Sequence, residues 1–317
     1  MHWESFAASG AIGAGTLLGA LVLSRLQPRA WVRVAAWLLA AGVVAGTHFV
    51  TLSEPAGLRV ILLCVNLLLA MKAIVSVEAQ YGGGERLPIS RWLLWATCWP
   101  GMRPSVFAHR SGKVHSRENA IRFARRGAIN VVLGLALVFA ARQVWLATDS
   151  RFWPTLLLLP AISLCLHFGL FDLLAGFWQW RGVDARPLFR NPLASTSLGE
   201  FWSKRWNLAF SEMIAISAYR PVSGWFGAGA GVVCGFALSG VLHEIAISLP
   251  VNEGYGPPMA YMTVHGFLVV LERLLPVLTR QAWTGRLWGA LWLLAPIMFL
   301  FHVPFLRGVV WPIIGMN

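Results

Sequence analysis

Charge is scarce in this chain. Only 12% of its 317 residues are Asp, Glu, Lys or Arg, where soluble domains carry about a quarter. With 57% hydrophobic residues and a mean hydropathy of +0.64, it cannot cover a water-facing surface, which excludes a soluble globular or a disordered protein. Cysteine is also sparse. Cys64, Cys98, Cys165 and Cys234 stand far apart, so there is neither a disulfide framework nor a zinc pattern. Gly82-Gly83-Gly84 lacks the lysine and serine of a phosphate-cradling loop, and no Gly-x-Ser-x-Gly elbow occurs. His109 and His115 are too widely spaced for a histidine-cluster di-iron site. His243-Glu244 is followed by Ile245, Ala246 and Ile247 rather than a second histidine, so no metal site is expected. The N-terminus has Glu4 and no early Lys or Arg, which reads as a first span rather than a removable signal.

Long apolar runs are what the chain has instead. They lie near 7–24, 31–52, 57–77, 128–147, 153–178, 222–249, 258–275 and 286–306, each about the length that crosses a bilayer. A porin-like barrel would show short alternating strands instead. Shorter apolar pieces at 87–100 and 201–219 fit interfacial or re-entrant helices. The expectation is an all-α, polytopic integral membrane protein of about eight spans, one domain over 1–317. The formal net charge of +13 then has an explanation other than nucleic acid. Placing Arg25, Arg29 and Arg33 inside puts 22 of the 26 basic residues on that side and leaves Arg59, Arg142, Arg151 and Arg307 on the other, as the positive-inside rule requires.

Ionisable residues within spans are costly and mark candidate sites. They are His167 and Asp172, His243 and Glu244, His265 and Glu272, and His302. Gly227, Gly231, Gly235, Ser239 and His243 recur every four residues, forming one ridge of a helix. Such a ridge is ordinary close packing on one reading and the approach to a catalytic imidazole on the other. Glu244 faces about 100° away from His243 on an ideal helix, so it packs against another helix or fixes a loop. Asp172 pairs with a basic residue of another helix. A helix starting near Arg220 would carry His243 well past the bilayer centre at about 1.5 Å rise per residue. Either it starts outside the hydrocarbon, tilts or breaks at a glycine, or the bounds of this span differ from 222–249.

The stretch Asn191-Pro192-Leu193-Ala194-Ser195-Thr196-Ser197-Leu198-Gly199-Glu200-Phe201-Trp202-Ser203-Lys204-Arg205-Trp206-Asn207 is polar, aromatic and basic at once. Its plain reading is an interfacial helix with Ser197 as N-cap and Glu200 completing a capping box. Taken with Ser239-Gly240-Val241-Leu242-His243-Glu244 about 35 residues on, and with His265-Gly266-Phe267-Leu268-Val269-Val270-Leu271-Glu272, it resembles the membrane-bound O-acyltransferase superfamily, in its wax-synthase-like branch. The resemblance covers roughly residues 160–275.

That resemblance implies a tunnelled membrane enzyme. It would move a fatty acyl group from acyl-CoA to a lipophilic hydroxyl acceptor, with a long-chain alcohol leading and a wax ester as product. It implies no cofactor or metal beyond the donor. It matches His243 to the catalytic histidine and Asn207 to the motif asparagine, with Trp202, Arg205, Trp206, Ser239, Lys204 and Arg190 as substrate-binding candidates. Residue chemistry agrees, since imidazole suits general-base work and an amide suits an oxyanion. A bacterial inner membrane with cytoplasmic basic loops is the expected setting. A sterol, polyketide, sugar or glycerolipid acceptor stays open. So does a transporter or lipid-binding scaffold, which would show paired repeats or broken helices in both halves.

Overall fold

The computed structural model describes residues 3–108 and 117–316. His109 and His115, and the basic residues Arg110 and Lys113, lie outside them. Among the described residues every regular element is helical. Among these residues six helical runs are long and apolar enough to cross a membrane, and a seventh results if the bent pair Ala282–Leu300 and Val303–Ile314 is one span. This is an integral membrane protein with fewer straight spans than the eight expected. The expected span at 258–275 is the 18-residue helix Pro257–Leu274, which is not among the six. It turns His265 and Glu272 inward and buries both. The last expected span is bent by 69°, where Pro296 and Pro304 each withhold a backbone donor.

The chain divides into two compact units. The first comprises Met1–Pro104 and Asn191–Phe305. Its N-terminal helices Trp3–Leu23, Ala30–Val50 and Ala56–Tyr81 pack on one another through polar contacts inside an apolar bundle. Asn66 Nδ2 donates to Ser9 O at 3.2 Å and to Thr47 Oγ1 at 2.9 Å. Lys72 is wholly buried. Its ammonium donates to Trp95 O, Trp99 O and Gly101 O at 3.2, 2.7 and 2.7 Å, and it stands 3.9 Å from the Trp95 ring centroid. Burying an ammonium is expensive unless its donors are satisfied. Here all three are, and the 95–101 segment is held in place.

The second unit comprises Ser105–Arg190 and Leu306–Asn317. Helix Arg117–Thr148 begins well before its apolar stretch, because Arg122, Arg125 and Arg126 do not interrupt a helix. It packs closely on the run Phe152–Trp180. The glycines at that contact leave no room: a Cβ on Gly127 would stand 2.8 Å from Gly169 O, and one on Gly176 would stand 3.0 Å from Ala120 O. Asp172 is buried and accepts from Arg126 Nε and Nη2 at 2.5 and 2.9 Å, the interhelical ion pair expected of it. His167 stacks on Phe189 with ring centroids 4.6 Å apart.

Candidate functional site

The apolar run 208–251 is not one straight rod. Gly227 has φ 84° and ψ 166°, a conformation essentially confined to glycine, and the chain reverses there. A Cβ on Gly231 would lie 2.9 Å from Tyr219 O and 2.9 Å from Ser223 Cβ. One on Gly235 would lie 2.8 Å from Ile214 Cγ2. The rings of His243 and Phe210 are 5.9 Å apart. Residues 8 to 33 positions apart meet only if 208–226 and 228–251 form an antiparallel hairpin. The glycine ridge is the seam between its arms. Of the accommodations open to the sequence, the structure takes the break at a glycine. His243 returns to the level at which the first arm begins.

The first arm begins at Asn207. The preceding stretch starts as a short helix, Leu198–Glu200, N-capped by Ser197 Oγ, which accepts from Glu200 N at 2.9 Å. Glu200 does not close the expected capping box on Ser197. It accepts from Thr196 N and Thr196 Oγ1 at 2.8 and 2.9 Å, one residue earlier. The Thr196 amide, aided by the Arg205 guanidinium, holds the Glu200 carboxyl down to about 2. The Glu272 carboxylate accepts from Leu198 N and Gly199 N at 2.6 and 2.8 Å, satisfying two orphan donors of that helix start. A π-helical turn, Phe201–Arg205, follows. Asn207 then takes φ 43° and ψ 67°, a left-handed conformation that Asn tolerates better than most residues. Its Oδ1 accepts from Phe210 N at 3.3 Å and caps the first arm. Nδ2 is left without a partner among the described residues.

His243 Nδ1 lies 2.7 Å from Ser239 O and 3.4 Å from Ser239 Oγ. A carbonyl only accepts, so Nδ1 carries the proton and the neutral ring presents Nε2 as a lone pair. Nε2 has no partner among the described residues. Glu244 turns away from the imidazole. It accepts from Gly256 N and Met259 N at 2.8 and 3.0 Å, tying the loop that starts helix Pro257–Leu274, as its helix position required.

A cavity of about 710 Å³ lies along both arms. Its wall includes Trp202, Lys204, Trp206, Asn207, Ser239 and His243, six of the eight residues singled out in sequence. Two are not brought to it. Arg205 is folded onto Glu200, with Nε and Nη2 at 2.9 and 2.7 Å from Oε1. Arg190 belongs to the second unit, where its Nε donates to Pro187 O at 3.2 Å. Sequence reasoning missed Phe210, whose ring and amide join His243 to Asn207. It also missed Arg103 on the wall. A lone Phe or Arg carries no local signal. Along the second arm the wall runs from Gly231 to His243, about 18 Å of helix at 1.5 Å per residue.

Ser248 and His302 form a serine–histidine pair outside this cavity, with Oγ and Nε2 3.1 Å apart. Its wiring is structural. His302 Nδ1 accepts from Phe305 N at 3.3 Å, so Nε2 donates to the hydroxyl, which in turn donates to Gly254 O at 3.1 Å. No lone pair is left to activate that serine.

Residues 185–267 match the model of the Membrane bound O-acyl transferase family. Within this segment, about a quarter of its length, the chain is similar to that family. The match takes in Asn207, His243 and both hairpin arms. Curated relatives align over the same kind of partial length. A long-chain-alcohol O-fatty-acyltransferase of Simmondsia chinensis is 38% identical over 73 residues, 20% of each chain. A probable long-chain-alcohol O-fatty-acyltransferase of Arabidopsis thaliana is 39% identical over 103 residues, 29% of each. Another from that plant is 29% identical over 142 residues, 40% of this chain and 41% of its own. The chain thus spans about a fifth to two fifths of the length of these relatives.

Proposed function

We propose that this protein is a membrane-embedded O-acyltransferase that moves a fatty acyl group from acyl-CoA to the hydroxyl of a long-chain alcohol, giving a wax ester. The observation that carries the reading is that His243, with its Nε2 open, and Asn207 line the same cavity. The names of the relatives support the acceptor class.

The chemistry follows from the two groups. His243 Nε2 takes the proton of the alcohol as its oxygen attacks the thioester carbonyl. The Asn207 Nδ2 amide donates to the oxygen on which negative charge develops. Collapse breaks the C–S bond, and the imidazolium returns its proton to the departing thiolate. Ester and free thiol are the products, so atoms and charge balance without a covalent enzyme intermediate. The Ser239 carbonyl fixes the tautomer needed for the first step. A trough of about 18 Å, faced by glycine and apolar side chains, suits an extended alkyl chain. Lys204, on the exposed edge of the cavity, suits the phosphates of the donor. The basic bias of one set of loops supports a bacterial inner membrane with those loops cytoplasmic.

The test is acyl transfer by purified, detergent-solubilised protein. Labelled palmitoyl-CoA is offered with hexadecanol, a sterol and diacylglycerol in parallel, with His243→Ala as blank. A His243-dependent hexadecyl ester is expected. Ester formed only with another acceptor would replace the alcohol and keep the mechanism, and transfer to none would overturn the enzyme reading.

A further inference from the structure

Arg103 is the one described wall residue of the cavity that comes from outside 197–279. It also lies outside the family-matched segment. Its Nε stands 2.8 Å from Glu212 Oε1, and Glu212 too lines the cavity. The two side chains differ in setting, 65% exposed for Arg103 and 19% for Glu212. Glu212 follows Asn207 by five residues on the first arm. It therefore falls within about two helical turns of the reacting groups, at 5.4 Å per turn.

The delivery of Arg103 is unusually rigid. Two residues before it, Gly101 O accepts from both the Lys72 ammonium and the Trp95 indole, at 2.7 and 3.0 Å. Trp99 O accepts from Lys72 as well. A wholly buried lysine is thus committed to fixing the short segment that ends at Arg103. A partly exposed ion pair adds little to stability, so stability does not account for such an anchor. Position does.

We propose that the Arg103–Glu212 pair is a latch that closes the reacting end of the cavity against water, and so decides whether the thioester goes to the alcohol or to hydrolysis. This rests on the acyl-transfer reading. In the competing reaction, water adds to the thioester carbonyl and the C–S bond breaks, giving free fatty acid and thiol. An open site admits water to the same activated carbonyl. Arg103 and Glu212 are positioning residues here. Neither is asked to touch the reacting atoms.

The readout is the ratio of fatty acid to ester formed from labelled palmitoyl-CoA with hexadecanol, which a merely structural loss of activity would not move. Arg103→Ala and Glu212→Gln should each raise the ratio by about fivefold, the most that loss of one partly exposed ion pair supports. The double variant should fall short of the combined effect of the single ones, because both single variants lose the same Arg103–Glu212 pair. The exchange Arg103→Glu with Glu212→Arg should bring the ratio back toward wild type. A ratio that stays at the wild-type value while total turnover falls would overturn the latch and leave the acyl-transfer reading standing, and so would independent, additive effects. A wild-type protein that makes neither acid nor ester would overturn that reading and the latch with it.

Discussion

Replacing Gly227 by alanine tests the reversal on which the site depends. Nothing lies within 4 Å of a Cβ built on Gly227, so the substitution meets no steric obstacle. Its whole cost is in the backbone, where φ 84° and ψ 166° are disfavoured for any residue with a side chain by about 1–3 kcal/mol. Gly229 makes the control. It lies two residues on, inside the second arm, and a Cβ there makes an ordinary 3.9 Å contact with Val270. Alanine at that helical position should stabilise by about 0.5–1 kcal/mol. The same chemical change should therefore act with opposite sign at two neighbouring glycines. Thermal unfolding of the solubilised protein, followed through its 17 tryptophans, measures both. Acyl transfer should fall with Gly227→Ala, because the turn sets His243 against Phe210 and Asn207. Equal shifts of the same sign for the two variants would refute the hairpin.

Four further outcomes follow from particular contacts. His243→Ala should lower turnover by at least about 10²-fold, the range of a lost general base, with the protein still folded. Asn207→Asp keeps the cap oxygen and the tolerance for positive φ but loses the amide donor, so turnover should drop by about 10²-fold while thermal stability holds; Asn207→Ala should lower both. Lys72→Met leaves Trp95 O, Trp99 O and Gly101 O without their ammonium donor. Gly101 O keeps the Trp95 indole as a donor, so at about 1–3 kcal/mol for each of the two carbonyls left unsatisfied, unfolding should shift by about 2 kcal/mol or more, and a near-neutral variant would refute the anchor. Glu200 has its carboxyl held near 2 against an ordinary 4.5. Its ionised form therefore contributes stability that is fully present above pH 4.5 and is lost as pH falls toward 2. The stability gap between wild type and Glu200→Gln should close across that window, and a gap independent of pH would contradict the assignment.

Composition alone determined that this is a polytopic helical membrane protein, because a chain with so few charges and so many long apolar runs has no other way to satisfy its backbone. Local pattern determined more. Ser197 as an N-cap, Glu244 turned from His243 toward the next helix, and Asp172 paired with a basic partner all follow from short-range helix geometry and the cost of burying charge. The candidate pair Asn207 and His243 was legible because its motifs are contiguous in sequence. What only the tertiary structure decided is where those residues go. A hydropathy run cannot distinguish a 44-residue apolar stretch that continues from one that doubles back, since both bury the same side chains and differ in one glycine's backbone angles. That reversal brings His243 to Asn207, turns the glycine ridge into a seam, and opens the cavity beside it. Arg205 and Arg190 looked like ligands of the donor because charge near a motif is visible in sequence, whereas the carboxylate or carbonyl that takes up each guanidinium is not. Arg103 was illegible for the converse reason: it reaches the site through Lys72, and contacts between residues distant in sequence exist only once the helices have packed.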